Sequence, residues 1–345
     1  MPSLPQSLTH FAPQSSAGCM PYPSQHSHPR IAFIGLGAMG APMASCILSK
    51  GYPLVGYDAS PPRMQAFAAQ HGPFAIVLNT APETTAPTAA SNKIGPDVDV
   101  LIMILPNSKV SHDVVLGEHG IAHRMKPGSL VIDMTSGVPS MTIAMQKQLR
   151  TLGIDLIDAP VSGAVARAEN GTLTIMVGGE DVHIERARPI LETMGSITTM
   201  GKLGSGHAMK ALNNLVSCAG YLIGIEALII GSKYGMDPEV MVDVLNASTG
   251  MNNSTQKKFH QYVLSRKFNS GFPLKMMLKD IEIALGLAGE MNVPAPFARL
   301  CLELWRTTQS MLGPDVDHTA MARGIEMLAG WQIPQICTTP ARTPI

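Results

Sequence analysis

Charge is scarce and balanced in this 345-residue sequence, which excludes one large class of function. Charged residues make up 14% of the chain, and 25 basic residues offset 25 acidic ones, so the formal net charge is zero. A nucleic-acid-binding protein needs a basic patch that meets the phosphate backbone. We therefore expect no nucleic-acid partner. Hydrophobic residues reach 45%, and this length and composition are enough for two domains with a sizeable core.

Cysteines are also few, and they form no pattern. The five cysteines are odd in number and show no CxxC spacing, which favours reduced thiols in a reducing compartment. Metal-ligand spacing is absent too, so the sequence predicts chemistry without a metal.

The first 29 residues lack the charged start and apolar core of a secretory signal. Their Pro, Ser, Gln and His content predicts a disordered extension. We expect a cytoplasmic protein. A mitochondrial location in a eukaryote is the alternative, because the extension lacks acidic residues as transit peptides do.

One long apolar run organises the chain. The stretch 207–234, HAMKALNNLVSCAGYLIGIEALIIGSKY, has no proline and follows the glycine-rich GKLGSG at 201–206. It predicts a helix on which Lys210 and Asn214, four residues apart, share a face. An amine beside an amide at the start of a buried helix suggests an active site. Two asparagines and Glu226 in its apolar part favour an interdomain helix over a membrane span, so no membrane partner is expected.

A strand–turn–helix unit lies near the start of the chain. RIAFI (30–34) predicts a strand, GLGAMG (35–40) a turn and the next segment an amphipathic helix. In this context the G-x-G-x-x-G spacing predicts a dinucleotide site. Its glycines permit a tight turn, close approach of a pyrophosphate, and close packing of helix on strand. The alternative is an ordinary glycine-rich turn. The expected cofactor-binding positions in the turn are Gly35, Leu36, Gly37, Ala38, Met39 and Gly40.

Asp58 ends the second predicted strand, PLVGYD at 53–58. Its position suits the acid that binds the ribose hydroxyls of NAD and repels the 2′-phosphate of NADP. Arg63, five residues on, would serve such a phosphate, so NADP stays open as an alternative. A capping Asp in a turn is the structural alternative.

The remaining runs predict a parallel α/β domain followed by helices. Strands are expected at 99–106, 129–136, 154–163, 173–180 and 196–204. Ligands bind at the carboxyl ends of such strands, which places Leu105, Pro106, Ser136, Ser162 and Gly163 at one edge. The predicted fold is a Rossmann-type α/β domain and an all-α domain joined by a long interdomain helix. The predicted boundaries are 1–29 (extension), 30–204 (NAD-binding), 205–330 (substrate binding and oligomerisation) and 331–345 (loose tail).

Four blocks of sequence resemble the β-hydroxyacid dehydrogenases, which include 3-hydroxyisobutyrate dehydrogenase and tartronate semialdehyde reductase. In family order they are IAFIGLGAMGAPMA (31–44), DAPVSGAVARAENGTLTIMVGG (158–179), GSGHAMKALNN (204–214) and FPLKMMLKD (272–280). The resemblance implies a nucleotide-binding domain, an α-helical domain and a homodimer or homotetramer. It also implies NAD or NADP as cofactor and a small hydroxy acid as substrate.

The resemblance assigns a role to each matching position. Lys210 matches the family's central catalytic lysine, Asn214 matches an asparagine beside it, and Asn213 matches a further polar position that we place at the substrate. Ser162 and Gly163 match the positions that bind the substrate carboxylate. On the cofactor side, the matching positions are Leu105, Pro106, Ser136 and Lys279.

Three departures from the family pattern concern the substrate more than the reaction. Gly137 follows the hydroxyls of Asp133-Met134-Thr135-Ser136, and Ala164 stands where many members have a second glycine. The segment TGMNNST (249–255), expected to line the substrate pocket, differs from the 3-hydroxyisobutyrate pattern.

The chemistry follows from the residue types. Lys210 is a suitable base for an alcohol if burial lowers its pKa. Asn214 orients it without adding charge, and Ser162 suits a carboxylate. For the substrate, the resemblance implies oxidation of a 3-hydroxy acid such as 3-hydroxyisobutyrate, with a tartronate semialdehyde reductase or a threonate-type sugar-acid dehydrogenase as alternatives. Imine reductases share the fold but replace the lysine. A hypothesis from a different class of function is that the protein is a non-catalytic cofactor-binding scaffold.

Overall fold

The computed structural model describes residues 28–72, 75–77, 94 and 97–335. The predictions for the N-terminal extension and the C-terminal tail lie wholly or largely outside these residues. In chain order the strands are β1 Ile31–Ile34, β2 Leu54–Tyr57, β3 Ala75–Val77, β4 Val100–Met103, β5 Leu130–Asp133, β6 Asp155–Asp158, β7 Val161–Ser162, β8 Leu173–Gly178 and β9 Gly195–Gly201.

The helices cover both faces of the sheet and then form the second half of the chain. They are α1 Gly40–Ser49, α2 Pro61–His71, α3 Ser108–Leu116, α4 Pro139–Thr151, α5 Ala164–Glu169, α6 Asp181–Leu191, α7 Ser205–Tyr234, α8 Pro238–Asn246, α9 Leu274–Glu290, α10 Pro296–Leu312 and α11 Met321–Ala329. A π-helix at Thr255–Leu264 and two 3₁₀ turns, Ile121–Arg124 and His318–Ala320, complete the described elements.

The strands form one sheet in the order β3-β2-β1-β4-β5-β6-β8-β7, with β9 beside β8. All neighbours from β3 to β6 are parallel. The strands β1, β4 and β5 are buried along their whole length, as expected for strands that helices cover on both faces. This order confirms the predicted Rossmann-type fold.

The prediction of a single strand at 154–163 in a wholly parallel sheet is wrong. β6 ends at Asp158, and β7 begins only at Val161. Pro160 lies between them, and a proline has no N–H to continue a ladder. The chain then turns, so that β6 and β7 both pair antiparallel with β8.

The helix α7 begins at Ser205, two residues before the predicted start. Gly206 packs against the sheet, since a Cβ there would lie 2.2 Å from the carbonyl oxygen of Met176. Further along, Tyr221 and Ile225 lie in the hydrophobic core of the helical half. In the described residues α7 is the one helix long and apolar enough to cross a membrane, yet half of its apolar window is buried inside the molecule. Its packing is that of a core helix.

The helical half has its own hydrophobic core around the large buried side chains of Tyr221, Phe259 and Trp305. One face of α9 packs on this core, where Leu274 and Ile281 are fully buried. The segment Thr255–Leu264, in the part of the chain predicted to be helical, is a π-helix for ten residues. Such helices are rare and often occur at functional sites.

Candidate active site

The glycine turn between β1 and α1 has the shape that a dinucleotide phosphate requires. A Cβ on Gly35, whose φ is +98°, would lie 2.2 Å from the carbonyl oxygen of Ile104, and one on Gly40 would lie 1.7 Å from the Gly35 oxygen. At Gly37 the nearest atom would be 3.8 Å away, on Arg63. The space in front of the α1 N-terminus is therefore open, and a helix N-terminus favours an anion there.

The other residues of this turn differ in exposure. The side chain of Leu36 is buried, Ala38 is exposed, and Met39 packs against the sheet core. Ala38 thus lies on the open side of the turn, whereas the side chains of Leu36 and Met39 pack against the core of the sheet.

Asp58 fixes the turn as well as standing at the predicted ribose position. Its Oδ2 accepts a hydrogen bond from the backbone N–H of Leu36, and its Oδ1 accepts one from Ser60, both at 2.8 Å. The Nη1 atom of Arg63 lies 3.5 Å from Oδ2. Each carboxylate oxygen has a second lone pair free for a hydroxyl. The site therefore holds both an acid suited to a ribose and a cation suited to a phosphate.

Lys279 reaches from α9 across to the carboxyl ends of β4 and β5. Its Nζ donates to the carbonyl oxygen of Ser136 at 2.7 Å and to that of Pro106 at 3.3 Å. The backbone N–H of Leu105 donates to Thr135 Oγ1 at 3.0 Å. The sheet and the helical half thus meet at the residues predicted to face the cofactor.

Asp280, the next residue on α9, connects this contact to α7. Its Oδ1 lies 3.3 Å from Lys279 Nζ, and its Oδ2 accepts a hydrogen bond from Asn214 Nδ2 at 2.5 Å. Asn213 in turn donates to Asn214 Oδ1 at 3.1 Å. Asp280 is almost completely buried. It was not among the predicted site residues, although its position next to Lys279 in the fourth sequence block was a usable signal.

Lys210 lies one turn before Asn214 on the same face of α7. Burial lowers the pKa of its amine, the negative charge of Asp280 raises it, and the positive charge of Lys279 lowers it again, with burial the largest effect. In the described part of the chain, no hydrogen bond engages this amine. The pKa of Lys210 therefore lies below the usual lysine value, and its amine is available to a ligand.

Ser162 and Gly163 lie where β7 turns into the short helix α5. Gly163 has a φ of +145°, and a Cβ there would lie 2.8 Å from the Cβ of Arg167, so this position requires glycine. The next residue, Ala164, has a φ of +59°. That conformation costs roughly 1–2 kcal/mol for a residue with a side chain, which gives a reason for the glycine seen there in many family members. Between these residues and the α7 site, the described structure has no direct hydrogen bond.

The unusual Gly137 makes room for a buried histidine. A Cβ on Gly137 would lie 2.8 Å from Cε1 of His207 and 2.9 Å from Ser108 Oγ. His207 is buried, with its Nδ1 2.8 Å from Thr142 Oγ1. The glycine and the histidine are therefore a matched pair that fixes the first turn of α7 against α4.

Asp158 is a second residue that the sequence predictions missed. It ends β6, and its two oxygens accept hydrogen bonds from the backbone N–H groups of Gly204 and His207, both at 2.7 Å. A buried carboxylate there satisfies N–H groups that the helix start leaves unpaired, and it opposes the positive end of the helix dipole. The sheet thereby fixes the start of α7, and with it the position of Lys210.

Two family models match the chain. That of the NAD-binding domain of 6-phosphogluconate dehydrogenase matches residues 30–202. The model described as NAD-binding of NADP-dependent 3-hydroxyisobutyrate dehydrogenase matches residues 204–325. Together they span both halves of the described fold.

Individual proteins match over most of their length. The 2-(hydroxymethyl)glutarate dehydrogenase of Eubacterium barkeri is 34% identical over 87% of this chain and 96% of its own. The 2-hydroxy-3-oxopropionate reductase of Escherichia coli K12 is 31% identical over 88% of this chain and 99% of its own. Among solved structures, Mycobacterium tuberculosis 3-hydroxyisobutyrate dehydrogenase with L-serine matches with a TM-score of 0.74 and 27% identity, over 86% of this chain and 99% of that one.

Proposed function

The chain belongs to the β-hydroxyacid dehydrogenase family, and from that premise we propose that Lys210 is its general acid and base. The enzyme is an NAD(P)-dependent hydroxyacid dehydrogenase of the 3-hydroxyisobutyrate and tartronate semialdehyde reductase type. The observation that carries the proposal is the unengaged amine of Lys210, whose pKa burial lowers, one turn before Asn214.

Lys210 moves the proton of the reacting hydroxyl. In alcohol oxidation its neutral amine accepts that proton, and in carbonyl reduction its ammonium donates one to the carbonyl oxygen. The bound nicotinamide supplies the hydride acceptor or donor. Lys279 and Asp280 adjust the balance between the two forms of the amine, because their charges act on it in opposite directions.

Asn214 and Ser162 hold the substrate around this proton. Asn214 has its amide fixed by Asp280 at one end and by Asn213 at the other, so its orientation is set before the substrate binds. Ser162, beside the constrained Gly163, is proposed to bind the substrate carboxylate. Positioning of this kind contributes up to about 7–11 kcal/mol in favourable cases.

NAD is the proposed cofactor, with NADP as the alternative. Asp58 is oriented by two backbone hydrogen bonds and would accept bonds from the ribose hydroxyls. Arg63 has 58% of its side chain exposed and is suited to a 2′-phosphate. We expect a higher kcat/KM with NAD. A strong preference for NADP that Arg63→Ala abolishes would contradict the assignment to Asp58.

The proposed substrate is a small 3-hydroxy acid of the 3-hydroxyisobutyrate type. The similar proteins act on 2-(hydroxymethyl)glutarate and 2-hydroxy-3-oxopropionate, according to their names. Reductase activity on the second compound and a threonate-type sugar-acid dehydrogenase are therefore the competing proposals. Turnover of these acids and their semialdehydes, measured in parallel with both cofactors, separates them.

The test of the catalytic assignment is the substitution Lys210→Ala. Loss of a general acid and base costs about 100- to 10,000-fold in rate, so kcat on the best 3-hydroxy acid should fall in that range. NAD(P) affinity should be retained because Lys210 lies on α7, away from the glycine turn. Equal turnover of wild type and variant would refute the role of Lys210 and would favour the scaffold reading.

A further inference from the structure

A second partly buried lysine, Lys258, contacts the α7 face that carries Lys210. Lys258 projects from the π-helix, and its Nζ donates a hydrogen bond to Ser217 Oγ at 3.2 Å. The same atom lies 5.7 Å from the centre of the Tyr221 ring. It makes no ion pair with a carboxylate anywhere in the described ranges. Its hydrogen bond to a hydroxyl and its contact with an aromatic ring thus leave its charge without a directly paired carboxylate.

The position of Ser217 relates this lysine to the proposed active site. Ser217 follows Lys210 by seven residues, which is two helical turns and roughly 10 Å of rise, with Asn214 on the same face between them. The segment 249–255, predicted to line the substrate pocket, also packs here. A Cβ on Gly220 would lie 3.4 Å from the side chain of Asn252. Lys258 is therefore the next cation along this face from Lys210.

An unpaired cation in this environment is costly. Burial lowers the pKa of Lys258 to about 8, because a buried ammonium without a counter-charge is destabilised. The same half of the molecule shows the usual solution: Arg266 donates to both carboxylate oxygens of Glu326. Asp317, whose charge also acts on Lys258, is already bonded to Ser270 and to backbone N–H groups.

We propose that Lys258 and Ser217 bind a second carboxylate of the substrate, so that among 3-hydroxy acids with the reacting end of 3-hydroxyisobutyrate the enzyme favours those with a second acid group. The inference rests on the proposed function, since it takes the reacting end of the substrate to lie at Lys210. The first carboxylate lies at Ser162, and the second supplies the counter-charge that Lys258 lacks. A charge-assisted hydrogen bond of this kind discriminates strongly against a substrate without the acid group.

Two substrates isolate this effect. In 2-(hydroxymethyl)glutarate a carboxyethyl group replaces the methyl of 3-hydroxyisobutyrate, and the reacting end is the same. We expect wild type to favour the dicarboxylate in kcat/KM. Lys258→Met should reduce the ratio of the two kcat/KM values about 10- to 100-fold, mainly through KM of the dicarboxylate, as expected for the loss of a hydrogen bond to a charged group. Lys258→Arg should retain most of the ratio.

The matched control is Lys257→Met, which removes the same charge from the exposed neighbouring residue on the π-helix and should leave the ratio unchanged. Equal losses of kcat/KM on both substrates would leave the ratio unchanged, assign Lys258 a structural role and overturn the proposal. A variant with no loss on either substrate would overturn it as well. Calorimetric titration of NAD(P)-loaded enzyme with glutarate and with butyrate provides a readout without turnover. Glutarate should bind more tightly, and Lys258→Met should remove the difference. Because this binding measurement involves no turnover, it tests the proposal whether or not Lys210 is the general acid and base.

The pH dependence of the ratio gives a further test. Around Lys258, burial keeps Cys218 as a thiol with a pKa of about 12, raises the pKa of Tyr221, and lowers that of His318 to about 4. Burial raises the pKa of Asp317, but its hydrogen bonds and the charge of His318 together lower it by more, so that the pKa lies below its usual value. Lys258 is thus the group here that titrates near pH 8. The preference for the dicarboxylate should fall as pH rises through 8 and persist in Lys258→Arg; a pH-independent ratio in wild type would contradict the proposal.

Discussion

Lys210 combines a lowered pKa with a carboxylate nearby, and the arrangement of Asn214 explains how both are possible. Asp280 acts on Lys210 through its charge, but its Oδ2 accepts a hydrogen bond from the Asn214 amide. The neutral amide takes the hydrogen bond that an ammonium would otherwise make. Burial is then the largest effect on the pKa of Lys210, and the pKa stays below its usual value.

A lysine held in this way destabilises the folded protein at neutral pH. Its folded pKa lies below the unfolded value of about 10.4, so folding is opposed by protonation. This loss of folding stability is greatest below the folded pKa and disappears as pH rises toward the unfolded pKa. We expect Lys210→Met to raise Tm at pH 7 while abolishing turnover, with the gain shrinking toward pH 10.5. Thermal unfolding across this range measures it. The exposed Lys257→Met should show no such gain, and a variant less stable than wild type at pH 7 would contradict the prediction.

Residue spacing was enough to predict that Lys210 and Asn214 share a face, because residues four positions apart on a helix do so. It could not reveal Asp280 or Lys258 as partners of this face. Both come from other elements, and their contacts with α7 depend on how α9 and the π-helix pack. The role of Gly137 was equally hidden, since its cause is a histidine 70 residues later in the chain.

At the scale of elements, the start of α7 is fixed by the sheet and not by its own sequence. No side chain of the residue before the helix caps it. The cap comes from Asp158 at the end of β6, 46 and 49 residues before the two N–H groups it accepts from. The position of the lysine one turn later therefore depends on a carboxylate in another element.

This dependence predicts a linked loss of stability and activity. Asp158→Asn keeps the shape but removes the charge and one acceptor, so the free energy of unfolding should fall by about 1–2 kcal/mol. Turnover should fall as well, because Lys210 loses its fixed position. Denaturant unfolding and kcat measure the two effects. The control is Asp237→Asn, at the exposed N-cap of α8, which should leave kcat unchanged. An unchanged kcat in Asp158→Asn would show that other contacts alone hold α7 in place.

The elements themselves were predictable to different degrees. The glycine turn, the parallel strands and α7 follow from local patterns of glycine spacing and apolar residues. The antiparallel β7 was not predictable, because a proline marks a break without showing where the chain goes next. The π-helix was missed because its hydrogen bonds differ from those of an α-helix while its apolar pattern is nearly the same.

At the scale of the whole molecule, one side of α7 carries an exposed apolar stripe. We name it the α7 stripe; its members recur every three, four or seven residues and are Met209, Leu212, Val216, Ile223, Ile230 and Tyr234. Monomeric proteins rarely expose contiguous apolar patches of this extent. The homodimer or homotetramer implied by the family resemblance remains a prediction, and this stripe is where it can be tested.

A charge in the middle of the stripe should disrupt such an assembly. We expect wild type to have the mass of a dimer or tetramer in light scattering after size exclusion, and Ile223→Glu, at a residue 57% exposed, to shift to a lower mass. Val182→Glu, on α6 and 67% exposed, introduces the same charge elsewhere and should leave the mass unchanged. A monomeric wild type would contradict the prediction.

The 30-residue α7 also has a consequence for how the molecule comes apart. Its first turn is bonded to the end of β6, and its middle supplies Tyr221 and Ile225 to the helical core. Neither core can lose its structure without exposing a segment on which the other depends. We therefore expect cooperative unfolding of both halves, with one calorimetric endotherm and agreement between the calorimetric and van't Hoff enthalpies. Two resolved endotherms would show that α7 passes between the halves without coupling them.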